Sequence, residues 1–350
     1  MCVNRTKSMN KIRALVLVEP GKTEVRAIDM PQPGDGDVLL QVSRVGFCGG
    51  DLNGFRGLFE LQEYPNVLGH EVGATIVDAG PNVPVSFRPG MRVTVNPYLN
   101  CGRCISCRKG RPNACQDNKT MGVRRPGAMT RYIAVPWEKL HTSDALSVRE
   151  LALVEPLTVG FHAAARGRVD AGEKVAVIGC GIVGMGAIAS SVNRGGEVIA
   201  IDIDDAKMEI ARKAGAAHTI NTTKVDLHEA LMQITDGDGP DVVIEAVGHA
   251  ATYRAAVDEV AYTGRVVYIG YAKQPVAYQT GTFVRKEVEI LGSRNCLGDF
   301  PDVISYLESG RFPVDAVISR TVSLDEAGAA LADWSANPGP ITKIMVDLDD

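Results

Sequence analysis

Four of the eight cysteines, Cys101, Cys104, Cys107 and Cys115, fall within fifteen residues. Adjacent C-x-x-C pairs suit a tetrahedral metal, and four thiolates at about 2.3 Å close the shell of a structural Zn²⁺. Arg103, Arg108, Lys109 and Arg111 lie among them and offset the negative charge of such a unit, while Gly102 and Gly110 permit its tight turns. Other chemistries use the same residue type. The first three cysteines share the spacing of a bacterial iron–sulfur run, but there the fourth follows after three residues and precedes Pro. Here the gap is seven and Gln116 follows. A redox C-x-x-C needs two thiols, not four. A disulfide framework belongs to secreted chains, and the start, MCVNRTKSMNKIRA, has no apolar core of the ~7–15 residues a signal peptide carries. Cys2, Cys180 and Cys296 read as ordinary free thiols.

A second motif is Val175-Ala-Val-Ile-Gly179-Cys-Gly181-Ile-Val-Gly184: an apolar strand, then G-x-G-x-x-G, then a helical run. In that context the pattern points to a dinucleotide. Gly179 allows the tight turn, Gly181 lets the backbone approach a pyrophosphate, and Gly184 lets the helix pack against the sheet. The helix N-terminus offers unpaired N–H groups to the phosphates. Asp202 ends the next strand, 18 residues after Gly184. A carboxylate there accepts the adenosine ribose hydroxyls and repels a 2′-phosphate, which favours NAD over NADP. Lys207 is the nearby cation that could weaken this preference. Ile182, Val183, Val247, Ile269 and Gly270 complete the candidate cofactor residues.

Three further segments carry chemistry-bearing side chains: Cys48-Gly-Gly-Asp51, Gly69-His70-Glu71 and Leu153-Val-Glu155-Pro156. Alone, each has an ordinary reading: a small core thiol, a satisfied histidine, a helix-terminal acid.

The elements that must position these groups come in two patterns. Residues 12–140 hold short β-branched runs (Ala14–Val18, Val38–Val42, Ala74–Val77, Arg92–Val95, Tyr132–Val135) punctuated by Gly, Pro, Asn and Asp, which predicts a β core with inserted loops. From about 160, apolar runs at Lys174–Gly179, Val198–Ile203, Asp241–Ala246, Arg265–Gly270 and Val288–Gly292 alternate with helical segments such as Ile182–Arg194, Asp205–Ala214 and Ala250–Tyr262. Fully apolar strands with crossover helices predict a doubly wound parallel sheet. Helices at Pro301–Glu308 and Leu324–Trp334 and a last strand at Ile341–Leu348 follow. Residues 1–11 are expected to be a disordered extension.

With 350 residues, two domains are natural. A net charge of −5 argues against a nucleic-acid partner, and 45% hydrophobic residues argue against disorder. The longest uncharged run, Val175–Asn193, has 19 residues, but its glycines and polar residues fit the fingerprint better than a bilayer span. A cytoplasmic protein without a membrane partner is expected.

Taken together and in this order, the cysteine lobe, the fingerprint and the three segments resemble the zinc-containing medium-chain dehydrogenase/reductase family over roughly 12–350. The resemblance implies a GroES-like β catalytic domain (12–160, with the zinc lobe at about 97–118), a Rossmann domain (161–295) and a return to the catalytic domain (296–350). It implies two Zn²⁺ per subunit, one structural and one catalytic. Cys48, His70 and Glu155 look like the catalytic ligands, with Glu71 as the acid that completes or replaces one. Asp51 looks like the carboxylate that orients the histidine. The implied chemistry is hydride transfer from a substrate carbon to the nicotinamide, with zinc as Lewis acid. The chain departs from alcohol-oxidising members at Gly50 and Asn53, where a hydroxyl and a histidine usually pass the proton to solvent. A water chain, Glu71 or Glu155 is left for that task.

Glu155 is similar to the polyol branch, which includes sorbitol, threonine and sugar-acid dehydrogenases, and Arg294 stands where polyol enzymes place a substrate arginine. A hexitol is the first expectation. A sugar acid comes second, because Arg294 could pair with a carboxylate in bidentate fashion. Threonine is disfavoured by Asn53. A zinc-free quinone reductase is disfavoured by Cys48, His70 and the cysteine lobe. A non-catalytic NAD(H)-binding protein on the same fold is the alternative of a different class. A homodimer or homotetramer built by edge pairing of Rossmann sheets is also implied.

Overall fold

A computed structural model describes residues 11–349. The expected N-terminal extension lies outside them except for Lys11, which already opens the first strand, Lys11–Glu19.

The first half holds a three-stranded sheet, ordered Lys22–Asp29, Lys11–Glu19, Asn66–Val67, and a seven-stranded sheet. The order of the larger one is Leu140–Thr142, Arg92–Val95, Glu71–Ala79, Asp37–Gly46, Lys343–Asp347, Ile318–Ser323, with Tyr132–Pro136 also pairing on Asp37–Gly46. Val38, Leu40 and Val42 of the central strand are fully buried, the inward face of an alternating strand, and a register shift after Val42 brings Val45 inward as well. The chain end completes this sheet: Lys343–Asp347 pairs antiparallel with Asp37–Gly46, so residues about 300 apart in sequence become neighbours.

The second half is a six-stranded parallel sheet ordered His218–Asn221, Glu197–Asp202, Lys174–Ile178, Val242–Glu245, Arg265–Tyr268, Glu289–Gly292. The fingerprint strand sits at its centre, where strand order reverses, the usual place for a ligand crevice. The 19-residue uncharged run divides into this strand and the helix Ile182–Asn193. Among the described residues no helix is long and apolar enough to cross a membrane.

One helix, Val148–Arg166, joins the halves and runs unbroken through the boundary expected at 160. Ser147 starts it with a capping box: its hydroxyl accepts from the Glu150 N–H while Glu150 accepts from the Ser147 N–H. The helix is wedged tightly on both sides. A Cβ on Gly73 would lie 1.7 Å from Val148 O, and one on Gly160 would lie 2.2 Å from Ala187 N. Pro156 sits inside it, so the segment read as ending near Glu155 continues for eleven residues beyond it.

Candidate active site and metal centres

The cysteine lobe grows from a two-stranded ribbon, Tyr98–Leu99 with Lys119–Thr120, and carries the short helix Ile105–Arg108 and the turn Pro112–Ala114. Its four Sγ atoms lie within 4.8 Å of one another. The Cys104–Cys107, Cys101–Cys115 and Cys104–Cys115 separations are 3.4, 3.5 and 3.9 Å. Disulfide sulfurs stand only about 2.05 Å apart. Four sulfurs at ~2.3 Å from a central ion would stand roughly 3.8 Å apart, so the donor set fits a tetrahedral metal. The Ser106 hydroxyl, then backbone N–H groups, draw the Cys104 thiol down to about 5, while burial and its neighbours push Cys107 up to about 12. Thiols that share protons in this way release them to a cation.

The second cluster gathers Cys48, His70 and Glu71, whose donor atoms also lie within 4.8 Å. Cys48 caps the helix Gly49–Phe55: its Sγ accepts the Gly50 N–H at 3.3 Å, and Asp51 Oδ2 accepts the Cys48 N–H at 2.9 Å. The capping box uses one oxygen of the Asp51 carboxylate, Oδ2. Asp51 Oδ1 and His70 Nδ1 are both buried with no hydrogen-bond partner, and the Asp51 charge is among those that raise His70.

Glu71 begins the strand Glu71–Ala79 directly opposite Gly46. A Cβ on Gly46 would stand 1.9 Å from Glu71 Oε2, so glycine makes room for the carboxylate. Lys343 reaches it from the closing strand. Its ammonium donates to Glu71 Oε1 and Oε2 at 2.7 and 2.6 Å and to the Phe47 carbonyl at 2.8 Å. All three of its donors are therefore used inside the protein. Lys343 was not among the candidates read from the sequence. Its signal was the one basic residue in the mostly apolar run Ile341–Leu348.

Glu155 stands outside the Cys48–His70–Glu71 set. Its Oε1 accepts the Tyr98 hydroxyl, a second partner that sequence reading missed. Burial, then the Glu71 charge, raises the Glu155 carboxyl above its ordinary range, against the pull of His70, Tyr98 and Lys343. Burial alone would lower His70. The negative charges of Cys48, Asp51 and Glu155 overcome that and hold it well above its usual value. A thiol, an imidazole and a carboxylate with donor atoms this close form a donor set of the kind that holds a divalent ion.

At the fingerprint, Gly179 has φ +96°. A Cβ on Gly184 would lie 1.8 Å from Gly179 O, so the helix packs as closely as the motif requires. Helix Ile182–Asn193 has no side-chain cap, which leaves its first N–H groups open. Asp202 Oδ2 accepts the Cys180 N–H at 2.7 Å, and Oδ1 accepts the Ile203 N–H at 2.8 Å. Ile182, Val183 and Lys207 are half-buried along this cleft edge. Glu245, fully buried at the end of the neighbouring strand, shapes the opposite lip. Its Oε1 accepts from the Val247 and Gly248 N–H groups and the Thr252 hydroxyl at 2.9, 2.8 and 2.8 Å. That turn lays Val247 over Gly179, where a Cβ would meet Val247 Cγ2 at 2.6 Å. Ile269 and Gly270 donate their N–H groups to the Glu245 carbonyl. Burial raises the Glu245 carboxyl. An acid closing an apolar strand was its signal in the sequence.

Arg294 lies in the loop after Glu289–Gly292, half-buried, with its carbonyl bound by Asn113 of the cysteine lobe at 2.9 Å.

Comparison with known proteins agrees with this layout. The family profile described as "Alcohol dehydrogenase GroES-like domain" matches residues 34–145, and that described as "Zinc-binding dehydrogenase" matches 183–309. The sorbitol dehydrogenase of Bacillus subtilis is 32% identical over 343 residues, covering 96% of this chain and 97% of the relative. The L-galactonate-5-dehydrogenase of Escherichia coli is 29% identical over 313 residues, covering 89% and 92%. Among solved structures, a zinc-binding dehydrogenase-like protein of Sinorhizobium meliloti bound to NADP superposes with a TM-score of 0.90 at 30% identity, covering 97% of this chain and 100% of that one. The alcohol dehydrogenase RspB of Escherichia coli, complexed with NADH, superposes with a TM-score of 0.88 at 26% identity, covering 97% and 99%.

Proposed function

The chain belongs to the zinc-containing medium-chain dehydrogenase/reductase family and is an oxidoreductase of the alcohol dehydrogenase class, and we propose that it oxidises a secondary hydroxyl of a hexitol to a ketose with NAD. The observation that carries this reading is the convergence of the half-buried Cys48 with the buried His70 and Glu71, with Glu155 beside them in the place typical of polyol enzymes. In this reading Cys48 and His70 hold the catalytic zinc and Glu71 completes the set. The four lobe cysteines hold the structural one. A bound zinc ion supplies Lewis acidity, lowering the pKa of a hydroxyl placed on it.

The rest falls to the chain's own residues. Lys343 neutralises Glu71 and fixes its direction. Asp202 accepts the ribose hydroxyls, and its charge favours NAD over NADP. The open amides of helix Ile182–Asn193 hold the pyrophosphate, while Val247, Ile269 and Gly270 line the opposite lip. Glu155, its carboxyl raised and backed by Tyr98, accepts the proton that Gly50 and Asn53 cannot take. Arg294 binds substrate oxygens. The edge strand Glu289–Gly292 leaves Glu289 and Ile290 exposed, which supports pairing of two subunits along that edge.

A sugar acid is the second reading, supported by the galactonate relative and by the fit of a guanidinium to a carboxylate. A panel of hexitols and aldonates, assayed by NADH and NADPH absorbance, tests both substrate and cofactor. Turnover of hexitols with NAD is expected. Tight NADH binding with no turnover of any member would support a non-catalytic binding protein instead. Arg294→Lys separates the two substrate classes: affinity for an aldonate should fall about tenfold or more, and affinity for a neutral hexitol little.

A further inference from the structure

The cysteine lobe and the Arg294 loop are joined by two asparagines that exchange hydrogen bonds. Asn113, in the turn before Cys115, donates from its side-chain amide to the Arg294 carbonyl at 2.9 Å. Asn295 returns one from its own side chain to the Asn113 carbonyl at 3.3 Å. The orientation of the Asn113 amide is set by its partner, because a carbonyl can only accept. The second N–H of the same amide lies 3.2 Å from His162 Nε2. Burial, then Arg111 and Arg166, holds His162 down to about 4, so the ring is neutral and Nε2 has a lone pair to offer. Its Nδ1 faces Asp299 Oδ2 at 3.5 Å, and Asp299 Oδ2 accepts the Leu297 N–H at 2.6 Å, tying down the far end of the same loop.

His162 is two turns beyond Glu155 on Val148–Arg166, so the two share a helix face. Asn113, His162 and Asp299 are all buried. Asn295 adopts the left-handed backbone conformation, φ +51°, which asparagine enters more readily than other side-chain-bearing residues. The loop is thus held at 294 and 295 by Asn113 of the lobe and at 297 by Asp299, and His162 of the Glu155 helix backs both holding groups. Two of these hydrogen bonds cross from the catalytic half to the nucleotide-binding half.

We infer that Asn113 is a positioning residue for Arg294: through the Asn113–Asn295 exchange and His162, the cysteine lobe sets where the substrate loop stands relative to Glu155. The lobe then serves substrate recognition as well as stability. This rests on the reading of Arg294 as a substrate contact.

The test uses Asn113→Ala and Asn295→Gly in the metal-loaded full chain, with lobe metal content measured. Amide hydrogen exchange across 293–297 should quicken about tenfold or more while the fingerprint turn is unchanged. KM for the turned-over substrate should rise about tenfold, with kcat and NADH affinity within about twofold. In an Arg294→Ala background, Asn113→Ala should raise KM no further. Unchanged exchange at 293–297, or a KM increase that persists undiminished without the Arg294 side chain, overturns the inference. If the wild type turns over no polyol or sugar acid, the functional reading fails, and the exchange measurement still decides whether the clamp holds the loop. Should Asn113→Ala not fold, Asn295→Gly carries the same comparison, since glycine suits its backbone and leaves the lobe intact.

Discussion

Lys343 and Glu71 are 272 residues apart and form a fully buried ion pair beside Cys48 and His70. Removing one member of such a pair leaves the other charge buried and unmatched, so Lys343→Met should destabilise the fold by about 3–5 kcal/mol in urea unfolding. A loss near zero would mean that Glu71 finds another partner. Glu155 makes a second prediction. As proton acceptor it must be ionised, and burial raises its carboxyl, so kcat/KM should fall as pH drops through that raised value. In Glu155→Gln this acidic limb should vanish from the profile, and an unmoved limb would remove Glu155 from the role. The partners of these residues were not legible in the sequence. Cys48, His70 and Glu71 stand in recognisable local motifs, whereas Lys343 and Tyr98 meet the site only through tertiary pairing, and no spacing rule connects positions so far apart. Asp51 also closes a helix capping box through one oxygen, a second use of the residue that the motif alone did not announce.

At the scale of elements, five of the six parallel strands were read within one or two residues; the inner ones are buried on both faces and appear as unbroken apolar runs. The strand His218–Asn221 and helix Leu227–Ile234 were missed, since both are short and carry polar residues on a half-exposed surface. The helix Val148–Arg166 was missed because Pro156 reads as a break. Yet the Ser147-x-x-Glu150 pattern at its start was a visible capping box. Ser147→Ala removes that box and should cost about 1 kcal/mol, seen as a drop of roughly 2–4 °C in Tm. Because this helix carries Glu155 and His162 and abuts both halves, the same change should loosen substrate binding more than cofactor binding. Equal losses in both would show that the cap matters only for global stability.

At the scale of the whole molecule, the order of the chain builds the site. The β half supplies Cys48, His70 and Glu71, the joining helix supplies Glu155, the parallel sheet supplies the cofactor cleft, and the last strand returns Lys343 beneath the metal candidates. The two-pattern organisation was foreseeable from the strand patterns, and the return of the chain end to the first half was implied by the family resemblance. How the halves are tied together was not, since Asn113, His162 and Asn295 look like ordinary polar residues until the fold assembles them. The central claim is that a catalytic zinc is held at Cys48, His70 and Glu71, apart from the lobe metal. Elemental analysis of active protein beside the Cys48→Ser variant tests it most directly. The account predicts two zinc atoms per subunit, falling to one in the variant together with loss of turnover. A fully active preparation with a single zinc atom, or a variant that keeps both, would contradict it.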